Sequence, residues 1–191
     1  MSKVKPRLVC HQQVVAGDLG LFAGLDVSEV VHVTWHDESD PGDRGEFWAA
    51  KDAPGINWVS DGKERIAALP ERIFRFFRKG VAVRRNRVTD RYLQAMVPID
   101  AGAVVVNFGA NIGEVAVTLA ERGASVIAIE PDPNVLPALH ANATGRAIQV
   151  VPVAAWDTDG TLAMFIASET ADTSAFNVSP DCRELPCHRV D

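Results

Sequence analysis

Residues 104–114 read VVVNFGANIGE. A β-branched run enters two glycines, Gly109 and Gly113, with Asn111 between them, and a helix-like pattern follows. Such a stretch reads as a strand, a tight turn and the first turn of a helix. Outward from it the alternation continues. A strand over 103–108 leads to a helix over 112–122, with Val115, Val117, Leu119 and Ala120 among its apolar positions and Gly123 as its stop. A strand over 125–130 follows, then a helix that runs to Asn142 and stops at Gly145. Asn134 reads as its N-cap, which puts Pro137 at the third helical position, where a missing N–H costs nothing. A third strand spans 148–152. The segment 161–168, TLAMFIAS, is one more strand, reached through the DTDG turn and expected not to be parallel. Short β–α–β–α–β alternation with continuous apolar strands specifies an α/β fold on a parallel sheet with right-handed crossovers.

The turn after the first strand carries chemistry as well as geometry. Gly109 supplies the tight turn, and Gly113 lets the helix pack closely on the strand. A dinucleotide site would place a third glycine at position 111, where the main chain meets a pyrophosphate. Asparagine tolerates left-handed backbone geometry, so the turn survives, but its side chain takes the space a pyrophosphate needs. The loop therefore favours a nucleoside ligand without phosphates over a nicotinamide dinucleotide. Glu130 ends the second strand at the ~20-residue distance suited to a ribose diol, whose two donors match two carboxylate oxygens. The alternative for the loop by itself is a tight turn with no ligand.

At these residues the chain resembles a family. VVVNFGANIGEVAVTLA, VIAIEPDPNVLPALHAN and VVPVAAWDTDGTLAMFI are similar to the S-adenosylmethionine-dependent methyltransferases of the FkbM type, over about 95–178. The segment 78–93, RKGVAVRRNRVTDRYL, looks like the helical stretch that precedes the family's core. The resemblance implies a class I methyltransferase fold, Rossmann-like, that binds S-adenosylmethionine. It also implies O-methylation of a hydroxyl on a sugar of a glycan or on a polyketide-like metabolite. By position, Gly109, Asn111 and Gly113 would line the methionine and ribose side of the cofactor. Glu130 would hold the ribose diol, and Asp132 and Ala154 would lie near the adenine. Asn107 stands where the family has an acid at the end of the first strand, so the cofactor's cationic end would meet a neutral amide. The family's later strands and its DxEG-like acidic motif do not occur before Asp191, so the chain reads as truncated after its third parallel strand, with the catalytic base expected beyond residue 191. Alternatives are a non-catalytic nucleoside-binding fragment and an NAD-dependent oxidoreductase, the latter disfavoured by Asn111.

The remainder divides into 1–62, a small β-containing appendage, and 63–98, a helical, lid-like segment before the 99–191 domain. EVVHVTW (29–35), EFWAA and INWVS read as strands, and 36–46 as a polar loop. Ile66, Leu69, Ile73, Phe76 and Phe77 fall on one helical face, with Pro70 marking a kink or a fresh start and Gly80 a C-terminus. A second helix over 86–96 would turn Val88, Tyr92, Leu93 and Met96 inward.

Composition limits what the whole can be. The chain has 191 residues, 47% hydrophobic and 23% charged, enough to bury a core. A net charge of −6 argues against a general nucleic-acid binder, because phosphate neutralisation needs a positive surface. The first 20 residues are broken by His11, Gln12, Gln13 and Asp18 and do not read as a signal peptide, and no apolar run reaches the ~20 residues that span a bilayer. The three cysteines, Cys10, Cys182 and Cys187, read as reduced thiols of a cytoplasmic protein. A small-molecule or glycan substrate is the expected partner. His32 and His36 lie four apart on a strand, about 13 Å, too far to share a metal. CRELPCH (182–188) offers Cys182, Cys187 and His188 with no evident fourth ligand, and a loose tail is the simpler reading. Arginines crowd 72–91, either as a solvated face or as a contact surface beside Phe74.

Overall fold

The computed structural model describes all residues except 1–7, 15–18, 38–39, 74–75, 77–79, 82–83, 87–88, 91–98, 100, 169–172, 177–178 and 191. The chain divides into two compact units, Met1–Arg84 and Arg85–Asp191.

The first unit is an antiparallel meander of five strands in sequence order: β1 (Leu8–Val14), β2 (Val27–Asp37), β3 (Asp40–Asp52), β4 (Asn57–Ser60) and β5 (Arg65–Ala68). Phe22, Val59, Ile66, Ala67, Phe76 and Val81 form its most buried apolar set among the described residues. Asp52 pins the turn between β3 and β4: its carboxylate accepts the Ile56 N–H at 2.8 Å and the Trp58 indole N–H at 2.9 Å. Two expectations change here. Residues 40–46 are strand rather than loop, because β3 pairs with β2 along most of its length and that ladder outweighs the turn-forming Pro41, Gly42 and Gly45. Residues 65–68 are a strand rather than the start of a helix. Val59 pairs with Ile66 and Trp58 with Ala67, so the buried residues satisfy a sheet where a helical face would have served equally by pattern. Pro70 does open a fresh element, a short 3-10 turn over Pro70–Arg72. Helical geometry resumes at Phe76, Val81, residues 84–86 and residues 89–90. Phe74, Phe77, Val88, Tyr92, Leu93 and Met96 lie outside the described residues.

The second unit begins with the alternation that the sequence specifies. Strands β6 (Val104–Phe108), β7 (Ser125–Ile129) and β8 (Ile148–Val151) form a parallel sheet in the order β6–β7–β8. Val104 pairs with Ser125 and Phe108 with Ile129, and Val126 pairs with Ile148. Helices α1 (Glu114–Glu121) and α2 (Leu136–Ala143) connect them. Ala116, Leu119 and Leu139 pack on Val126 and Ala128, with Val105, Ile148 and Val150 beside them, so both helices cover one face. Each fully buried leucine there contributes roughly 1.5–3 kcal/mol. The other face of β6 is open: Val104 is 71% exposed and Phe108 50%. Among the described residues β6 pairs with β7 alone, an apolar edge of the kind that invites further strands.

A second sheet, β10–β11–β9, completes this unit with β9 (Ala154–Trp156), β10 (Gly160–Phe165) and β11 (Cys182–Arg189). β10 runs antiparallel to β11, as expected for a strand entered through the DTDG turn. Residues 182–189 are the central strand of this sheet and not a loose tail. Leu185 and Cys187 alternate inward onto Ala154, Met164 and Ile166, a period-2 burial that the polar neighbours hide in the sequence. The exposed Cys182 and the buried Cys187 lie five positions apart, about 17 Å along the strand. Among the described residues no group of three or more His, Cys, Asp or Glu side chains could hold a metal.

Candidate functional site

The site is built at the C-terminal ends of β6 and β7. The loop leaving β6 is left-handed at Gly109 (φ 68°), Asn111 (φ 53°) and Gly113 (φ 91°). Asn111 is the one non-glycine with positive φ among the described residues, a conformation asparagine enters more cheaply than other side chains. Gly113 is needed for space as well: a Cβ there would lie 2.9 Å from Leu139 Cδ1. The close approach is therefore to α2 and not to the strand. Asn142 of α2, 2% exposed, donates to the Ile112 carbonyl at 2.7 Å and fixes the loop from the same side.

Every backbone N–H from residue 110 to residue 113 has an acceptor within the protein. Ala110 donates to the Ile129 carbonyl and Gly113 to the Ala110 carbonyl. Ile112 donates to Asn111 Oδ1 at 2.9 Å, and Asn111 donates to Glu130 Oε2 at 2.7 Å. A phosphate cradle works by offering such donors to an anion. This loop spends them on itself. The asparagine thus opposes a pyrophosphate less by bulk than by occupying a donor.

Glu130 is 5% exposed, and its second oxygen accepts the Asp132 N–H at 2.9 Å. The carboxylate therefore clamps the β6 loop to the end of β7. Each oxygen has a second lone pair, so a clamp can also accept from a ligand diol. Asp132, 2% exposed, is a hub: it accepts the Asn134 N–H at 2.9 Å, the Ser168 hydroxyl at 2.7 Å and the Thr173 hydroxyl at 2.7 Å. Its carbonyl also accepts the Val135 and Leu136 N–H groups, which closes the turn leading into α2; the N-cap of that helix is Val135 rather than Asn134, with no side-chain cap hydrogen bond. The Asn134 side chain instead donates to Ser168 Oγ at 2.9 Å. Burying these two carboxylates is offset by charge-assisted hydrogen bonds to each.

Gly109, Asn111, Glu130, Asp132 and Ala154 line one cavity of about 380 Å³, within the range of small-molecule sites. Gly113 and Asn107 are not among its lining residues. The Asn107 side-chain nitrogen is buried and has no hydrogen-bond partner among the described residues. The opposite wall comes from residues that no motif announced: Trp156, Leu162, Met164 and the stretch Thr173–Phe176. Only the polar TS pair within a turn-forming segment could have hinted at it, since Thr173 and Ser168 reach Asp132 from 41 and 36 residues away.

No protein-family model and no curated protein matches the chain. Among solved structures, it is similar to a SAM-dependent methyltransferase from Leishmania major at 17% identity, over 37% of this chain and 29% of that one. A SAM-dependent methyltransferase from Agrobacterium tumefaciens matches at 15% identity, over 64% of this chain and 36% of that one. Pyrococcus horikoshii TYW2, solved in complex with MeSAdo, matches at 22% identity, over 60% and 40%. The TM-score is 0.30 in each case, and the chain spans well under half the length of these proteins. Likeness at that level carries no argument about function, which rests on the site itself.

Proposed function

We propose that residues 99–191 form an S-adenosylmethionine-binding domain of the class I methyltransferase kind, of the FkbM type by the resemblance of its GANIG and EP segments. The observation that carries this reading is the pairing of a loop whose N–H donors at 110–113 are all satisfied with a buried carboxylate on the cavity wall. Such a site suits a nucleoside with a free diol and disfavours a pyrophosphate. Glu130 would hold the ribose, Gly109 and Asn111 the methionine side, and Ala154 the base side, with Asp132 acting through the wall it supports. When bound, the cofactor supplies an activated methyl group on a sulfonium for in-line transfer to a hydroxyl. The protein's part is to position donor and acceptor, which removes the entropic portion of the barrier. The acceptor in this reading is a hydroxyl of a sugar, glycan or polyketide-like small molecule, met in the cytoplasm. No helix among the described residues is long and apolar enough to cross a membrane.

The open edge of β6 favours a second reading, in which this chain binds the nucleoside without completing catalysis. Calorimetry with S-adenosylmethionine and with NAD tests the first claim. Binding of the former and not the latter is expected, and the reverse would overturn it. Methyl transfer by the chain itself to simple sugars then separates enzyme from binding module.

A further inference from the structure

Resting on that nucleoside reading, we infer that Trp156 and Phe176 form the base-stacking wall of the cavity. The site would then select its ligand by an aromatic base as well as by a diol. Both rings line the cavity that holds Glu130. Their centroids are 5.8 Å apart and their planes tilted by 42°, an open wedge rather than a closed stack. Phe176 is 80% exposed, the largest value among the large hydrophobic residues described. A phenylalanine left in water forgoes most of its burial free energy, which a base stacked on the ring would restore.

The placement is built, not incidental. The Phe176 N–H donates to Ser174 Oγ at 3.0 Å, and Ser174 forms a two-way backbone bridge with Phe165 of β10. Thr173 Oγ1 accepts the Ala167 N–H at 2.8 Å while donating to the buried Asp132 carboxylate. The carboxylate that follows Glu130 by two residues thus fixes the segment that carries the ring. Trp156 is anchored from the other side, at the end of β9 and against the core of the second sheet. A flat base attached to a ribose on Glu130 would meet π faces, which bind every base without reading its hydrogen-bonding edge.

The test uses the full chain with adenosine, S-adenosylmethionine and D-ribose as probes. Phe176→Ala and Phe176→Leu should each weaken adenosine and S-adenosylmethionine binding by roughly 5- to 100-fold, whereas Phe176→Trp should retain it. Adenosine should quench tryptophan fluorescence in the wild type, and the quench should vanish in Trp156→Phe, which keeps a ring and three other tryptophans. D-ribose should bind far more weakly than adenosine. Wild-type affinity in both Phe176→Ala and Phe176→Leu, with adenosine still bound, would overturn the stacking wall and leave the nucleoside reading standing. Failure of the wild type to bind adenosine or S-adenosylmethionine would overturn the nucleoside reading and this inference with it.

Discussion

Glu130→Gln isolates the clamp at the heart of the site. The wild-type carboxylate accepts two backbone N–H groups, from Asn111 at 2.7 Å and from Asp132 at 2.9 Å, while 5% exposed. Hydrogen bonds to a charged acceptor contribute about 1.5–3 kcal/mol each. Glutamine keeps one carbonyl oxygen and places an NH2 where the other oxygen stood, so one buried N–H faces a donor. One bond is lost outright and the other loses its charge assistance, for a combined cost of about 2–4 kcal/mol. Against a typical total of roughly 5–15 kcal/mol this is large. Because the chain has two compact units, a single unfolding midpoint would mix them. Amide hydrogen exchange resolved to individual residues avoids that. The Asn111 and Asp132 amides should exchange faster in Glu130→Gln by roughly 30- to 800-fold, the equivalent of that cost, with amides of β2 and β3 unchanged. Wild-type exchange at both amides would refute the clamp, and with it the claim that Glu130 orders the loop.

Three further outcomes follow from the same geometry. Gly113→Ala should cost about 2–3 kcal/mol of stability, read from residue-resolved amide exchange in α1 and β7, combining a left-handed backbone with a Cβ pressed on Leu139. Gly109→Ala, whose Cβ would meet nothing within 4 Å, should cost only the dihedral part, about 1–2 kcal/mol, and an equal or larger loss would contradict the packing role given to Gly113. Asn107 does not line the cavity, so Asn107→Asp should leave S-adenosylmethionine and adenosine binding alike unchanged; tighter binding of S-adenosylmethionine alone would place residue 107 at the methionine end. Asp159 accepts the Arg189 N–H at 3.0 Å and contacts His188 Nδ1 at 3.1 Å, and these hold its carboxyl below the usual 3.8. A depressed carboxylate contributes stability above the unfolded value that is lost as pH falls through the folded one. Protection of the Arg189 amide should therefore persist at pH 5 and fade below about 3.8, and Asp159→Asn should abolish that dependence.

The parallel sheet was readable because its signals are local. β-branched runs, a glycine turn and an acid at the next strand end all fall within residues 104–130, and each step is short-range. Glu130 was legible as a candidate ligand acceptor, but its service to Asn111 and Asp132 was not, since a ligand acceptor and a loop clamp need the same residue at the same place. The far wall was illegible for a different reason. Asp132 meets Ser168 and Thr173 across 36 and 41 residues, and no periodicity encodes that. Residues 65–68 misled because Ile66 and the alanines after it are apolar under either period, so pairing with β4 decided between them. β11 was hidden because Leu185 and Cys187 are its only buried residues among six exposed neighbours.

The central claim is that the buried Glu130 carboxylate at the mouth of the β6 loop reads a ribose diol. Titrating the full wild-type chain with adenosine and with 2′,3′-dideoxyadenosine tests it without changing a residue. The two ligands share the base, so the aromatic wall contributes equally. Adenosine should bind more tightly by at least roughly tenfold, the equivalent of one charge-assisted hydrogen bond of about 1.5 kcal/mol. Equal affinities would mean that no carboxylate meets the diol, and the nucleoside assignment of this cavity would fall.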